Sequence, residues 1–311
     1  MGGRGATCRR FLGGQIVPEL KCKDPVAVNL WYAIAPLEDV KDARVQRSVL
    51  LEQPIAYTRN DAGDVVVWAY EGRPGDAPGD RALPVKERFG YFWTTLGMPE
   101  RDIFPIPEYE EEDRRNIHAA SFGVNASAPR LVENFLDMGH FPFVHTDILG
   151  AEPHTEVKEY FVEVSEERDE ILASNCKFWQ PMAAASSSGG ADVDYIYRVP
   201  HPFCSVLYKS SPLDDGRNDV IAIFIQPFNQ EQVRVHMLLS LLDDNSDDTQ
   251  IRLFQQTIFG QDKPILENQY PKRLPLDPRA ETPIRADKSA IAYRRWLSGK
   301  GVAYGVIPPS A

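Results

Sequence analysis

The stretch D-M-G-H-F-P-F-V-H, residues 137 to 145, places one carboxylate and two imidazoles around a proline. Before it, apolar residues in L-V-E-N-F-L recur at helical spacing after the start signal Ser127-Ala128-Pro129, so we expect a helix that ends near His140. Positions three apart share one face of a helix. Asp137 and His140 should therefore project together, with Asn134 one turn earlier.

His145 lies five residues beyond His140, and a continuous helix would turn its side chain about 140° away. Pro142 can end the helix between them, because proline lacks an N–H and biases Phe141 towards an extended conformation. His145 could then return to the cavity that His140 faces. Two histidines and one carboxylate form the facial triad of non-haem Fe(II) oxygenases. A chance pairing of core and surface histidines is the alternative, and the spacing alone leaves it open.

A third metal ligand must come from elsewhere in the chain, and Asp262 in F-G-Q-D-K-P is the candidate. Pro264 cannot donate to the carbonyl of Gly260, so we expect a kink that aims Asp262 into a cavity. A solvated helix acid is the alternative. The candidate substrate-binding residues share the helix face of Asp262, with core packing as the alternative for the first two: Ile258, Leu266 and Gln269.

Composition excludes several classes of protein. A net charge of -11 and a pI near 5.1 argue against a nucleic-acid partner, because such binding needs Lys and Arg at the phosphates. The four cysteines, Cys8, Cys22, Cys176 and Cys204, form no C-x-x-C pair, which favours reduced thiols. No apolar run approaches the roughly 18 residues of a membrane span, so we predict a cytoplasmic protein. An Arg-containing start without acids before Glu19 leaves an organelle-transit segment as the alternative.

The pattern along the chain predicts two domains after an N-terminal arm over residues 1–30. Residues 31–115 alternate short apolar runs with turn residues such as N-D-A-G-D, which is typical of β-hairpins. A Gly-, Pro- and Asp-rich turn occupies residues 71–81. The acidic, proline-containing segment 104–115 is the predicted boundary, and the second domain should cover residues 116–311.

The second domain should combine long helices with a curved antiparallel sheet, which makes the fold class α+β. Helices are predicted from Gln250 to about Tyr270 and from Asp287 onwards. Six runs bounded by turn residues predict the strands: Y-F-V-E-V, I-L-A-S-N-C-K-F-W, Y-I-Y-R-V, C-S-V-L-Y-K, V-I-A-I-F-I and V-R-V-H-M-L-L-S-L-L.

Taken as a whole, E-N-F-L-D-M-G-H-F-P-F-V-H-T-D-I-L-G resembles the catalytic-domain signature of the Rieske-type non-haem iron oxygenases, with its N-x2-D-x2-H-x4-H core. F-G-Q-D-K-P-I-L-E-N-Q and R-A-D-K-S-A-I-A-Y-R-R-W-L resemble later parts of that domain. The resemblance implies a helix-grip domain in which His140, His145 and Asp262 bind one Fe(II). It also implies that Asp137 relays electrons to the iron and that Asn134 lies near it.

Upstream, W-Y-A-I-A-P-L-E-D-V and L-P-V-K-E-R-F-G-Y-F-W-T-T-L-G resemble the opening and closing strands of the family's Rieske domain. The family holds its [2Fe–2S] cluster with two Cys and two His, as C-x-H and C-x2-H. This chain has no histidine before His118, and Cys8 and Cys22 precede the first of these strands. We therefore expect a reduced Rieske-like domain over residues 31–115 that has no [2Fe–2S] cluster, with the 71–81 turn in place of the cluster loops.

Within the family, the likeness is to the methylxanthine N-demethylases, a group that includes an N7-demethylase subunit without its own cluster. It implies an O2-dependent monooxygenase that converts 7-methylxanthine to xanthine and formaldehyde. A separate, NAD(P)H-dependent reductase that bears a Rieske domain would supply the electrons. The resemblance also allows a homotrimer and an additional structural subunit.

Two alternatives to this function stay open. A 2-oxoglutarate-dependent Fe(II) oxygenase would use an H-x-D…H triad, which His145, Asp147 and His201 fit. No convincing basic residue for its cosubstrate follows His201, and Lys209 is a poor candidate. The second alternative is a non-catalytic scaffold or binding subunit of such an oxygenase, against which the intact ligand pattern speaks.

Overall fold

The computed structural model describes residues 10–12, 15–17, 20–72, 77–187, 189–211, 214, 216–242 and 245–309. Cys8 of the predicted N-terminal arm lies outside these residues. No helix in the described ranges is long and apolar enough to cross a membrane. The chain divides into two compact units, one of Met1–Ile103 with Pro227–Asn229 and one of Phe104–Gln226 with Gln230–Ala311. The second unit thus begins at Phe104, the first residue of the acidic segment 104–115.

The first unit is built from short strands and one short helix. Helix α1 is Pro25–Val28, and the strands in its described part are β1 Arg10–Leu12, β2 Gln15–Val17, β3 Tyr32–Pro36, β4 Gln46–Leu50, β5 Gln53–Arg59, β6 Val65–Ala69, β7 Ala82–Leu83, β8 Val85–Arg88 and β9 Tyr91–Thr94. Strands β1 and β2 pair with each other. The remaining strands form two sheets, ordered β3-β9-β8 and β4-β5-β6-β7. The all-β pattern predicted for this half is confirmed.

The hairpin between β5 and β6 shows why these segments turn where they do. Asn60 Oδ1 accepts hydrogen bonds from the backbone N–H groups of Ala62 and Asp64 at 3.0 and 2.8 Å. Gly63 has φ +89°, a left-handed conformation that glycine adopts without a Cβ penalty. The N-D-A-G-D signal is thus an Asx-type turn.

The second unit is organised around a seven-stranded sheet ordered β10-β16-β15-β14-β13-β12-β11. Its strands are β10 Arg115–Val124, β11 Phe161–Ser165, β12 Glu170–Gln180, β13 Ala191–His201, β14 Cys204–Ser210, β15 Asn218–Asn229 and β16 Gln232–Leu241. Strands β10, β12 and β13 each contain a register shift, and such bulges bend a sheet. The predicted curved antiparallel sheet is confirmed, and each of the six predicted runs lies in one of its strands, with at most one residue beyond the end of the strand.

Helix α2, Ala128–Leu136, begins as predicted and ends earlier than predicted. Ser127 Oγ accepts a hydrogen bond from Arg130 N. The expected end near His140 is wrong, because Asp137 already has an extended backbone and its Oδ1 accepts from Gly139 N at 2.7 Å. Such a local side-chain bond competes with helix continuation. The predicted role of Pro142 is also wrong, since it lies in the first turn of a new short helix, α3 Phe141–Val144.

Helix α4, Asp248–Asn268, is the long helix that packs along β10. It begins with a capping box between Asp247 and Gln250 and runs through Pro264. Arg252 Nε and Gln256 Nε2 donate to the carbonyls of His118 and Ala119, at 3.0 and 2.8 Å. These carbonyls lie at the bulge of β10, where the strand ladder is interrupted. The helix is thereby fixed along its axis against the strand.

Helix α5, Lys288–Lys300, closes the second unit and packs against β11 and β12. It ends at Gly301, whose φ of +73° suits a glycine C-cap. Two further short strands, β17 Leu274–Pro275 and β18 Val306–Ile307, form a parallel pair. The predicted last helix from Asp287 is confirmed.

Candidate metal centre

Three side chains converge on one point of the second unit, two from the segment around α3 and one from α4. His140 Nε2 lies 3.1 Å from His145 Nε2 and 3.2 Å from Asp262 Oδ1. His145 Nε2 lies 3.1 Å from the same carboxylate oxygen. The side chains of the three residues are 13%, 1% and 13% exposed, respectively. In the described part of the chain this is the one cluster of His, Cys, Asp and Glu whose atoms could share a metal ion.

The neighbours of the two imidazoles fix which ring nitrogen carries the proton. His140 Nδ1 lies 3.1 Å from Asp137 Oδ2, and His145 Nδ1 lies 2.8 Å from Gln261 Oε1. Both partners are acceptors, so both Nδ1 atoms donate and both Nε2 lone pairs point to the centre. Asp262 Oδ1 is buried, and its polar neighbours among the described residues are the two Nε2 atoms. Three electron-pair donors thus face one another, which is the arrangement that a cation stabilises.

The charges around the site lead to the same conclusion. Burial opposes protonation of His140, but the carboxylates of Asp137 and Asp262 outweigh it and raise the pKa of the imidazole to about 9. In the metal-free protein one proton therefore resides among these groups. A metal ion at the same point would replace that proton, because metal binding generally releases protons from the ligands. The donor set of two imidazoles and one carboxylate fits Fe(II).

Close packing holds the segment that carries both histidines. A Cβ on Gly150 would lie 2.9 Å from the backbone N and Cα of Pro142, so only glycine allows this approach. Thr146 Oγ1 donates to the carbonyl of Pro142 at 2.7 Å. Together these contacts fix α3 and the position of His145 at its end.

Two cavities adjoin the site, and both are lined by His140 and Asp262, whereas His145 lines the inner one. The inner cavity, of about 80 Å³, lies between α4 and the sheet, and its walls are largely apolar and aromatic, including Tyr195, Tyr197 and Phe254. Its small volume and apolar walls favour a compact, largely apolar or aromatic ligand. The outer cleft, of about 510 Å³, is lined by Asp137 and by further acidic residues such as Glu281.

Three of the four other predicted site residues line the inner cavity, the outer cleft or both. Asn134 lines both cavities, and Ile258 lines the inner one. Gln269 lines the outer cleft. Leu266 is 1% exposed, and it lines neither cavity, so its position is that of a core residue.

The alternative triad of a 2-oxoglutarate-dependent oxygenase is not brought together. His145, Asp147 and His201 form no ligand cluster among the described residues. Asp147 is exposed, and His201 Nδ1 accepts a hydrogen bond from Phe203 N at 3.0 Å. His145 alone of the three lies in the metal centre.

Two contributors to the site were missed in the sequence. Gln261 orients His145, and Lys209 lines the inner cavity. Lys209 pairs with Tyr195 across β13 and β14, so both side chains lie on one face of the sheet. The alternation in Y-I-Y and L-Y-K is the signal that could have indicated this shared face.

Comparison with known proteins relates the chain to oxygenases. Residues 124–301 match the family model of the vanillate O-demethylase oxygenase C-terminal domain. The chain is 44% identical over 286 residues to the probable methylxanthine N7-demethylase NdmC of Pseudomonas sp. (strain TJI-51), which covers 92% of this chain and 99% of that protein. It is also 30% identical over 121 residues to the oxidoreductase NdmD of Pseudomonas putida, covering 25% of this chain and 21% of NdmD.

A solved structure shares the fold. NdmA of Pseudomonas putida CBB5 with caffeine superposes with a TM-score of 0.69 at 18% sequence identity, covering 87% of this chain and 90% of that one. At this identity the likeness concerns the fold alone.

Proposed function

Because this chain belongs to the Rieske-type non-haem iron oxygenases, we propose that it is the catalytic subunit of an O2-dependent N-demethylase. The proposed reaction converts 7-methylxanthine to xanthine and formaldehyde. The observation that carries the proposal is the set of three lone-pair donors beside a small, largely apolar cavity with several aromatic walls. The 44% identity to a probable methylxanthine N7-demethylase supports the choice of substrate.

We propose that His140, His145 and Asp262 hold one Fe(II) per chain. Iron bound there supplies O2-dependent hydroxylation of the N-methyl carbon, after which the product loses formaldehyde and keeps an N–H. Asp137 and Gln261 keep both Nδ1 atoms protonated, so that each Nε2 presents a lone pair to the metal. The aromatic walls of the inner cavity exclude water and hold a flat ring beside the ligands.

The reaction needs two electrons beyond those of the substrate, and we propose that a separate protein supplies them. All six histidines lie at or after His118, so the family's two histidine cluster ligands have no counterparts in residues 31–115. Burial raises the pKa of Cys22 to about 11, which disfavours the thiolate that a cluster needs. Residues 31–115 would then be a Rieske-like domain without a [2Fe–2S] cluster, and residues 116–311 the catalytic domain.

Asp137 is the proposed entry point for those electrons. Its side chain is 34% exposed on the outer cleft, while Oδ2 contacts His140. A Rieske-bearing reductase that docks at this cleft would be connected to the metal ligand through a single carboxylate. Assembly as a homotrimer, or with an additional structural subunit, is compatible with this docking.

The test is reconstitution of the purified chain. Iron quantitation should give one iron per chain, and formaldehyde should form from 7-methylxanthine when NAD(P)H and a Rieske-bearing reductase are added. His140→Ala is the matched inactive control. Iron binding without formaldehyde release would favour a non-catalytic subunit. Oxygen consumption that depends on 2-oxoglutarate instead would contradict the proposal.

A further inference from the structure

Lys209 places a buried positive charge beside the proposed metal centre. It lies in β14 and is 6% exposed. Its neighbours across the ladder are Tyr195 on β13 and Asp219 on β15. Its Nζ lies 5.7 Å from the centroid of the Tyr195 ring and donates a hydrogen bond to the carbonyl of Ala183. The side chain lines the same inner cavity as the three metal ligands.

The hydrogen bonds of this ammonium are incomplete. An ammonium has three N–H donors. Among the described residues, Nζ of Lys209 donates a hydrogen bond to the carbonyl of Ala183. No salt bridge joins Nζ to a carboxylate in the described part of the chain. Asp219, which faces Lys209 from β15, uses Oδ1 to accept from Leu242 N at 2.9 Å. Up to two N–H donors therefore remain for a group in the cavity.

A purely structural lysine is a poor explanation of this arrangement. Burying an ammonium costs far more than burying a neutral donor, and an uncharged side chain could bond to Ala183 equally well. The free-energy cost of burial is offset when a ligand brings strong hydrogen-bond acceptors to the remaining N–H donors. The other walls of the cavity are mainly apolar and aromatic, so the lysine would set the orientation of a flat ligand.

We propose that Lys209 binds the substrate by donating to a ring oxo group, and that this contact selects which N-methyl carbon faces the metal centre. This inference rests on the proposed function. A dioxopurine offers two carbonyl oxygens on a planar ring, which suits one cation in a cavity with aromatic walls. The ligand class is thus an oxo-substituted N-methyl heterocycle, and an N-methyl ring without an oxo group would bind poorly.

Ligand analogues combined with a Lys209 variant test the contact. Binding of 7-methylxanthine and of two analogues, each lacking one ring oxo group, is measured by anaerobic calorimetry on the iron-loaded protein. In the parental protein, one of the two analogues should bind roughly tenfold to hundredfold more weakly, as expected for a lost hydrogen bond to a charged donor. In Lys209→Met, the affinity for 7-methylxanthine should fall by the same factor. The affinity for the analogue that binds weakly to the parent should be unchanged. Iron content should be unchanged.

A control variant and two further outcomes distinguish a failure of the Lys209 inference from a failure of the proposed function. Lys177→Met removes an exposed lysine on the opposite face of the sheet and should leave all three affinities unchanged. If Lys209→Met keeps the parental preference among the three ligands, the inference is overturned and the proposed function stands. If the parental protein binds none of them, the proposed function itself fails. Should Lys209→Met not fold, Lys209→Gln, which keeps an uncharged donor, should show a smaller loss of the same preference, and an unchanged preference would overturn the inference.

Discussion

Replacing Lys209 with methionine should stabilise the protein, although it removes a hydrogen bond. Burial lowers the pKa of Lys209 from 10.5 to about 8, and the charge of Asp219 offsets this only in part. That difference corresponds to about 3 kcal/mol of folding free energy. The lost bond to Ala183 is worth about 1 kcal/mol. The expected gain at pH 7 is therefore about 2 kcal/mol.

The gain should depend on pH in a defined direction. Below pH 8 the lysine is charged in both the folded and the unfolded chain, so the parental protein bears the full cost of burial. Between pH 8 and 10.5 the folded protein releases the proton and the unfolded chain retains it, so the cost fades as pH rises. Tyr195 on β13 and Asp219 on β15 also face this side chain, and they are common to both proteins. The difference between the two proteins therefore isolates Lys209.

Urea unfolding of the iron-loaded parent and of Lys209→Met at several pH values from 7 to 10 measures this difference. Lys177→Met is the matched control, because Lys177 is exposed on β12 and pairs with Asp194 at 3.0 Å on the surface. Its stability should stay within about 0.5 kcal/mol of the parent at every pH. A Lys209→Met protein that is less stable than the parent at pH 7, or a difference that does not shrink with rising pH, would refute the reasoning.

Three further predictions concern the metal centre. Alanine at His140 or Asp262 should remove iron and turnover while circular dichroism stays parental; full iron retention in either variant would exclude that residue as a ligand. Asp137→Asn should keep iron and substrate binding but lose formaldehyde release, and turnover at the parental rate would end the relay hypothesis. Gly150→Ala should cost about 1 to 3 kcal/mol in unfolding experiments and weaken iron binding, because the new Cβ meets the backbone of Pro142. Gly260→Ala, whose Cβ meets nothing within 4 Å, is the control, and equal effects of the two changes would contradict the packing explanation.

The sequence was most informative where local patterns determine structure. Strand alternation, the Ser127 cap and the Asp247 capping box each depend on neighbouring residues, and the strands of the large sheet and the starts of α2 and α4 lie at or close to the expected positions. The end of α2 was misplaced because an Asp137 side-chain bond to Gly139 overrides helical periodicity. This hydrogen bond involves only two residues, and the periodicity of apolar residues, which predicts helices, does not take it into account.

The site was predictable in its ligands and not in their surroundings. The spacing of His140 and His145 and the D-K-P context of Asp262 pointed to the three side chains that the structure brings together. Gln261 meets His145 across 116 residues of sequence, and such pairing follows from tertiary packing. The place of Lys209 in the inner cavity was not predicted, because its partners Tyr195 and Asp219 lie on neighbouring strands, which the linear pattern does not identify.

The contact between α4 and the bulge of β10 limits how this protein can vary in evolution. Arg252 and Gln256 anchor the helix to the strand, and Asp262 projects from the same helix six residues after Gln256. One residue inserted or deleted in that interval would rotate the carboxylate by about 100° and displace it by about 1.5 Å along the helix axis. Surface positions of α4 can therefore accept many substitutions, whereas the interval from Gln256 to Asp262 should tolerate no change of length in any homologue that keeps the site.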